Sequence, residues 1–191
     1  MTFKLILASQ SPRRRELLKQ ITSDYQVDVA DIDETPVADE PAHEYVVRLA
    51  IEKAQAIWQR RGDQIPVLGS DTTVAVDDHI LGKPLDNAEA LAMLQRLNGR
   101  SHEVLTAVAL VGPQGVQYKL SCTTVTFANI SESALAAYVA SGEPLDKAGS
   151  YGIQGHAGLF ISHIAGSFTG VMGLPLFETS QLLLEAGIIS L

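Results

Sequence analysis

The chain has a single cysteine, Cys122, so no internal disulfide can hold it together. Cohesion has to come from a hydrophobic core, and 191 residues at 46% hydrophobic content are enough for a sizeable one. Cys122 sits in the Thr/Val-rich run LSCTTVTF and reads as a small core or sheet residue. Basic residues are scarce, 14 against 22 acidic, and the formal net charge of −8 argues against a general nucleic-acid binder. Long apolar runs are missing too. FKLILA is too short for a secretory leader and runs into arginines. FISHIAGSFTGVMGLPLF is broken by His163, Pro175 and several glycines and is no membrane span. A cytoplasmic enzyme or binding protein is the expectation. Several familiar motifs are also absent: GxxxxGK[ST], a GxGxxG after the first strand, and GxSxG. His43, His79, His102, His156 and His163 lack zinc-ligand spacing.

What is present alternates between strand and helix patterns. Strands are expected at 3–8, 25–30 and 66–78, with a turn at Asp77-Asp78 and a short strand entering LGKP. Helices are expected at 12–20, at 42–61 up to Gly62, and from Asp86 or Asn87 to Asn98 with Gly99 as the stop. Residues 103–129 form a hairpin around Gly112-Pro113-Gln114-Gly115. Ser131 starts another helix, ended by Gly142; 143–158 is a glycine-rich loop, GLFISHIAG a strand, and 175–186 a final helix. The hairpin makes part of the sheet antiparallel, so the expected class is a mixed α/β fold with helices flanking the sheet. Residues 1–191 are treated as one domain, in which a boundary between two lobes would fall near 20–30 or 128–145.

Four features break local rules. Arg13, Arg14 and Arg15 follow Ser11-Pro12 at a helix start, where the helix dipole disfavours cations. They are either a solvated surface or an anion site that adds to the free N–H groups of the helix. On a helical wheel of 42–61, Val46, Leu49, Ala50, Ala54 and Ile57 share one face, and Lys53 is the one charge in it. Lys53 either snorkels to water or meets a buried anion. Asp71 ends an apolar strand in VLGSDTTV, as a turn cap or a site carboxylate. Asp31, Asp33 and Glu34 form a second acidic cluster, and acids from two loops suit a hard divalent cation. Lys83, in the tight turn LGKP, is a further candidate phosphate contact. Together these features suit nucleoside triphosphate chemistry with a metal.

The motifs LILASQSPRRRELL, DIDET, RLAIEKA, LGSDTTV, LGKP and KAGSYGIQG, in this order over nearly the whole length, resemble the Maf-type nucleotide pyrophosphatases. The resemblance implies a two-lobed fold with a deep cleft, often a homodimer, and hydrolysis of a nucleoside triphosphate between its α and β phosphates. It implies Asp71 as general base and Ser9, Arg13, Arg14, Lys53 and Lys83 around the phosphates. Glu34 would help Asp71 hold Mg²⁺ or Mn²⁺. Arg14, Thr72 and Gln154 match the branch acting on dTTP and UTP, and Gln154 would pair with the pyrimidine. Gly149, Gly152 and Gly155 are expected to let the base approach closely. Arg15 has no assigned role and is expected to face solvent. The resemblance carries a link to division arrest. Two rivals stay open: a pyrophosphatase for ITP-type purines or 7-methyl-GTP, and a nucleotide-binding regulator of division.

Overall fold

A computed structural model describes residues 4–77 and 79–190. Phe3 and Asp78, which belong to an expected strand and an expected turn, lie outside them. The strands are β1 (Leu5–Ala8), β2 (Tyr25–Asp28), β3 (Val67–Val76), β4 (His79–Leu81), β5 (Ser101–Gly112), β6 (Gly115–Phe127) and β7 (Ile161–Ala165). They form one sheet in the order β2–β1–β3–β5–β6–β7, with β4 paired to the far half of β3. β1 runs parallel to both β2 and β3, and the remaining pairings are antiparallel. The mixed α/β class read from the sequence is therefore the observed one.

Among the described residues six α-helices accompany the sheet: α1 (Pro12–Leu18), α2 (Ala42–Arg61), α3 (Asn87–Leu97), α4 (Glu132–Ala140), α5 (Phe168–Val171) and α6 (Leu176–Glu185). Their ends follow local chemistry. Ser11, Asp86 and Ser131 cap α1, α3 and α4 through their side chains, and Gly62 ends α2 in the left-handed region at φ 65°. Alternation along the central strands sorts the two faces. Leu105, Ala107 and Ala109 of β5 face α2 with Val46 and Ala50. Val108 and Leu110 turn the other way, toward Leu17, Leu18, Leu182 and Leu183 of α1 and α6. A third apolar cluster fills the far end under α3 and α4, around Leu94, Phe127 and Leu135. Each fully buried leucine there contributes roughly 1.5–3 kcal/mol.

Three details differ from the sequence expectation. Residues 156–160 form a short 3₁₀ turn, so the strand read over 158–166 is only 161–165. Residues 168–171 form the helix α5, which the many glycines around it hide from any periodicity. Asp71 does not end its strand: it sits at the middle of β3, directly opposite Ala107. Cys122 is a sheet residue, as read, and is exposed. No helix of the described residues is long and apolar enough to cross a membrane.

The placement of the cavity follows from a gap in the sheet. β1 pairs with β3 only as far as Ala8 opposite Gly69, and β4 picks up β3 only at Val74. Ser70–Thr73 therefore have β5 on one side and, among the described residues, no strand on the other. Gly69, just before the gap, lets α2 lie directly on the sheet, because a Cβ there would run into the backbone carbonyl of Ala50. Gly69→Ala is expected to destabilise the protein by about 3 kcal/mol or more, since backbone and not a flexible side chain has to move; urea unfolding checks this.

Candidate functional site

The stripe predicted for α2 is fully buried at Val46, Leu49, Ala50, Ala54 and Ile57. Lys53, inside the stripe, does not snorkel. Its side chain is 12% exposed, and Nζ lies 2.6 Å from Asp71 Oδ1 and 2.9 Å from Glu34 Oε1. Asp71 is buried on the α2 face of β3. Burial pushes its carboxyl above the ordinary range, and the Lys53 and Arg14 charges pull part of that shift back. Glu34 lies in an irregular segment whose backbone carbonyl accepts a 2.9 Å hydrogen bond from the Tyr45 hydroxyl. Of the acidic cluster only Glu34 lines the cavity; Asp33 instead accepts from the Thr35 amide and caps a turn.

The three arginines go three ways. Arg15 is exposed, as expected. Arg13 lines the cavity and has no hydrogen bond or ion pair among the described residues. Arg14 turns inward: Nε donates to the Gly173 carbonyl at 2.8 Å and Nη2 to Thr72 Oγ1 at 3.1 Å. The helix start itself has little to offer an anion. Pro12 has no N–H, Arg14 N donates to the Ser11 hydroxyl and Arg15 N to the Ser11 carbonyl. The positive field at this end is a side-chain property, and the seven-residue α1 adds little to it.

These groups open onto a cavity of about 1080 Å³ at the unpaired edge of β3. Ser9, Arg13, Arg14, Glu34, Lys53, Asp71, Thr72, Lys83 and Gln154 all line it, so every residue singled out as a site residue reaches one space. Lys83, like Arg13, is a cation without a partner among the described residues. Ser9 is buried and accepts from the Ser11 amide at 3.1 Å. Gln154 is exposed, its amide without a hydrogen bond among the described residues. Arg14 and Thr72 are hydrogen-bonded to each other, and among the described residues no hydrogen bond joins Gln154 to either.

The glycines around Gln154 are packed closely on the side where a Cβ would stand. The space a side chain would occupy at Gly149 is filled by Val74, at Gly152 by Lys147 and at Gly155 by Glu143. They fit the loop closely onto the protein, and Gly152 and Gly155 also line the cavity. Glu143 ties that loop down, accepting from the His156 amide and from Tyr138 Oη. Beneath it Tyr151 Oη and His102 Nε2 lie 2.7 Å apart, and burial lowers the His102 pKa to about 4, so this imidazole is neutral. Sequence reasoning missed Tyr45, Ser70, Thr106 and Gly173, which hold the site residues from behind. Only threonines facing each other across an antiparallel pair, Thr72 and Thr106, leave any trace in sequence, and then only once the register is known.

Among the described residues no three His, Cys, Asp or Glu side chains gather to hold a metal. Glu34 and Asp71 each use one oxygen on Lys53 and keep the other. Two carboxylates fit a Mg²⁺-like ion that completes its shell with phosphate oxygens and water.

The family model described as Maf-like protein matches residues 4–186. A dTTP/UTP pyrophosphatase of Shewanella oneidensis is 53% identical over 192 residues, 97% of this chain and 99% of its own. That of Hahella chejuensis is 51% identical over 97% of this chain and 93% of its own. The solved dITP/XTP pyrophosphatase of Mycobacterium abscessus is 20% identical, with a TM-score of 0.45 over 67% of this chain and 76% of that one, too loose a likeness to bear on function.

Lys53→Met removes the partner that lowers the Asp71 pKa, so the carboxyl of the variant titrates higher still. A folded-state value above the unfolded one costs stability as pH rises through it. The variant is therefore expected to lose stability as pH rises through the raised Asp71 pKa and to regain part of it on acidification; thermal melts over a pH series measure the trend.

Proposed function

We propose that this chain, which belongs to the Maf family, is a nucleoside triphosphate pyrophosphatase that hydrolyses dTTP and UTP to the monophosphate and pyrophosphate. The observation that carries this reading is a buried carboxylate, Asp71, held by Lys53 at the open edge of β3 and facing the cavity. Relatives about half identical over almost their whole length bear that activity in their names. The reaction is NTP plus water giving NMP plus pyrophosphate, so one proton must leave the attacking water. Asp71 has its second carboxylate oxygen free to take it. Desolvation makes this carboxylate a better base than a solvated aspartate.

The phosphates meet cations of two kinds. Arg13 and Lys83 are unengaged and neutralise phosphate oxygens directly. Lys53 has three N–H donors, of which two serve Asp71 and Glu34, so one remains for a phosphate oxygen without breaking either pair. A divalent cation held by Glu34 and Asp71 would supply further charge neutralisation on the phosphates. Ser9 adds a hydroxyl beside the basic turn. Arg14, Thr72 and Gln154 are left for the base. The free amide of Gln154 offers both a donor and an acceptor to a pyrimidine edge. Free nucleotides are the substrate pool of such an enzyme, which suits the cytoplasm.

Incubation with dTTP, UTP, CTP, ITP and 7-methyl-GTP, with Mg²⁺ or Mn²⁺ and with a chelator, tests the reading. Metal-dependent formation of dTMP and UMP with pyrophosphate is expected. Turnover confined to ITP or 7-methyl-GTP would reject the base assignment while keeping the chemistry. Asp71→Asn is expected to lower kcat by roughly 10²–10⁴-fold with KM little changed. Since Asp71 works ionised and its pKa is raised, the wild-type rate is expected to fall on acidification at a pH above its ordinary 3.8. A pH–rate profile locates that limb.

A further inference from the structure

Glu34 reaches the site from a stretch with no regular structure of its own. Between β2 and α2, residues 29–41 form neither strand nor helix. From Asp31 to Glu40 the one backbone–backbone hydrogen bond among the described residues runs from Glu40 N to the Val37 carbonyl. The Glu34 side chain is half exposed, and among the described residues Lys53 is its one ion-pair partner. Rotatable bonds separate that carboxylate from its backbone, so on an unsupported stretch its position would be poorly fixed. The support comes from α2. Tyr45 Oη donates to the Glu34 carbonyl at 2.9 Å, and Arg48 Nη2 donates to the Thr35 carbonyl at 3.2 Å. Arg48 also grips Glu40 with two nitrogens, Nε to Oε1 at 2.6 Å and Nη2 to Oε2 at 2.7 Å. A bidentate pair of this kind fixes direction as well as distance. Glu40 Oε2 in turn accepts from the Val37 amide at 3.0 Å.

Tyr45 and Arg48 are neighbours one helical turn apart, with the guanidinium carbon 5.6 Å from the ring centre. Tyr45 is buried, which pushes its phenol up to about 12, so the hydroxyl keeps its proton and donates. Arg48 does not line the cavity; Tyr45 does, with its hydroxyl spent on Glu34. We infer that Tyr45 and Arg48 are positioning residues: by holding two consecutive carbonyls they fix where the Glu34 carboxylate stands, and so set how tightly a divalent cation is held between Glu34 and Asp71. The helix that supplies Lys53 also supplies the fasteners of Glu34, so one rigid element sets both ends of the Lys53–Glu34 contact. Groups that hold a metal ligand from behind typically change metal affinity about 10–100-fold. The inference rests on the proposed metal-assisted hydrolysis and names what fixes one of its metal ligands.

The test measures, by calorimetry, the affinity for a UTP analogue with a methylene group between its α and β phosphates, with saturating Mn²⁺ and with a chelator. The quantity read is the metal gain, the ratio of the two dissociation constants. The wild type is expected to bind much more tightly with Mn²⁺. Tyr45→Phe and Arg48→Gln are each expected to cut the gain about tenfold and to leave the metal-free affinity unchanged. Damage to the cavity as a whole would weaken both measurements. A gain that stays at the wild-type value in Tyr45→Phe, or a metal-free affinity that falls with it, therefore overturns the inference. Glu34→Gln adds a second arm. If Tyr45 acts through Glu34, Tyr45→Phe has no further effect on the gain once Glu34 is replaced, and an additive loss in the double variant overturns the inference. Tyr45→Phe deletes one oxygen and keeps the ring, so an Arg48 variant that fails to fold leaves the decision with it. A wild type that binds the analogue without any metal gain overturns the metal site itself. One that does not bind the analogue overturns the proposed function, which separates these failures.

Discussion

The contact between Lys53 and Asp71 is the constraint on which the site depends. An ammonium in the apolar stripe of α2 would be costly without a partner, and a carboxylate in mid-strand would be equally costly. Each makes the other tolerable, and only because α2 lies close enough to β3 for a 2.6 Å contact. That closeness comes from small residues. Gly69 lets the helix backbone onto the strand, and Ala107 and Ala109 keep the neighbouring strand low beneath it. The pair also needs an outlet. It has one because β1 stops at Ala8 before β4 begins to pair at Val74, leaving β3 uncovered where Asp71 sits.

The same uncovered edge explains how one cavity presents two kinds of surface. Successive side chains of a strand point to opposite faces, so Asp71 and Thr72 open onto different sides of the sheet. On the α2 side lie the charged groups, Lys53, Glu34 and Asp71. On the other side Arg14 and Thr72 are tied to the α5 segment through Gly173, Thr106 and Gly170. Ser70 adds a further bond to the Gly173 carbonyl on that side, 3.0 Å long. A sheet covered on both edges would separate the two surfaces completely. With the edge open, a ligand the size of a nucleotide can reach across it.

Much of this was legible in the sequence, for identifiable reasons. The boundaries of α2 coincide with those expected, because a 20-residue periodic pattern with a glycine stop leaves few alternatives. Lys53 stood out because a lone charge in an apolar stripe violates that pattern. The hairpin of β5 and β6 was legible from its turn. What escaped notice depends on register and on contacts far apart in sequence. Asp71 looked like the end of a strand because a charge normally stops an apolar run; only its pairing with Lys53 keeps it in the middle. The glycines near Gln154 read as room for a base, and no local pattern could show that Val74, Lys147 and Glu143 pack against them where a Cβ would stand. Thr106 is ordinary in sequence and gains its role only by lying opposite Thr72.

The charges around the cavity add a last step. Five basic residues line it, Arg13, Arg14, Lys53, Lys83 and Lys147, and five acidic ones, Glu34, Asp71, Glu89, Glu143 and Asp146. The wall is therefore balanced, unlike a simple basic pocket. Three of the acids are spent on the protein itself: Glu89 on the Leu85 amide, Glu143 on the loop around His156, and Asp146 on Lys147. Lys53 is engaged by Asp71 and Glu34, and Arg14 by uncharged oxygens. Of the five basic residues on this wall, Arg13 and Lys83 have no side-chain partner among the described residues. A triphosphate brings about four negative charges, more than those two offset. On the proposed function the remainder has to arrive with the substrate, and a nucleotide carrying a divalent cation to Glu34 and Asp71 would bring it. Balance in the empty cavity then has a use. A surplus of fixed cations would hold any polyanion, product pyrophosphate included, whereas this wall suits a ligand that brings its own counter-charge.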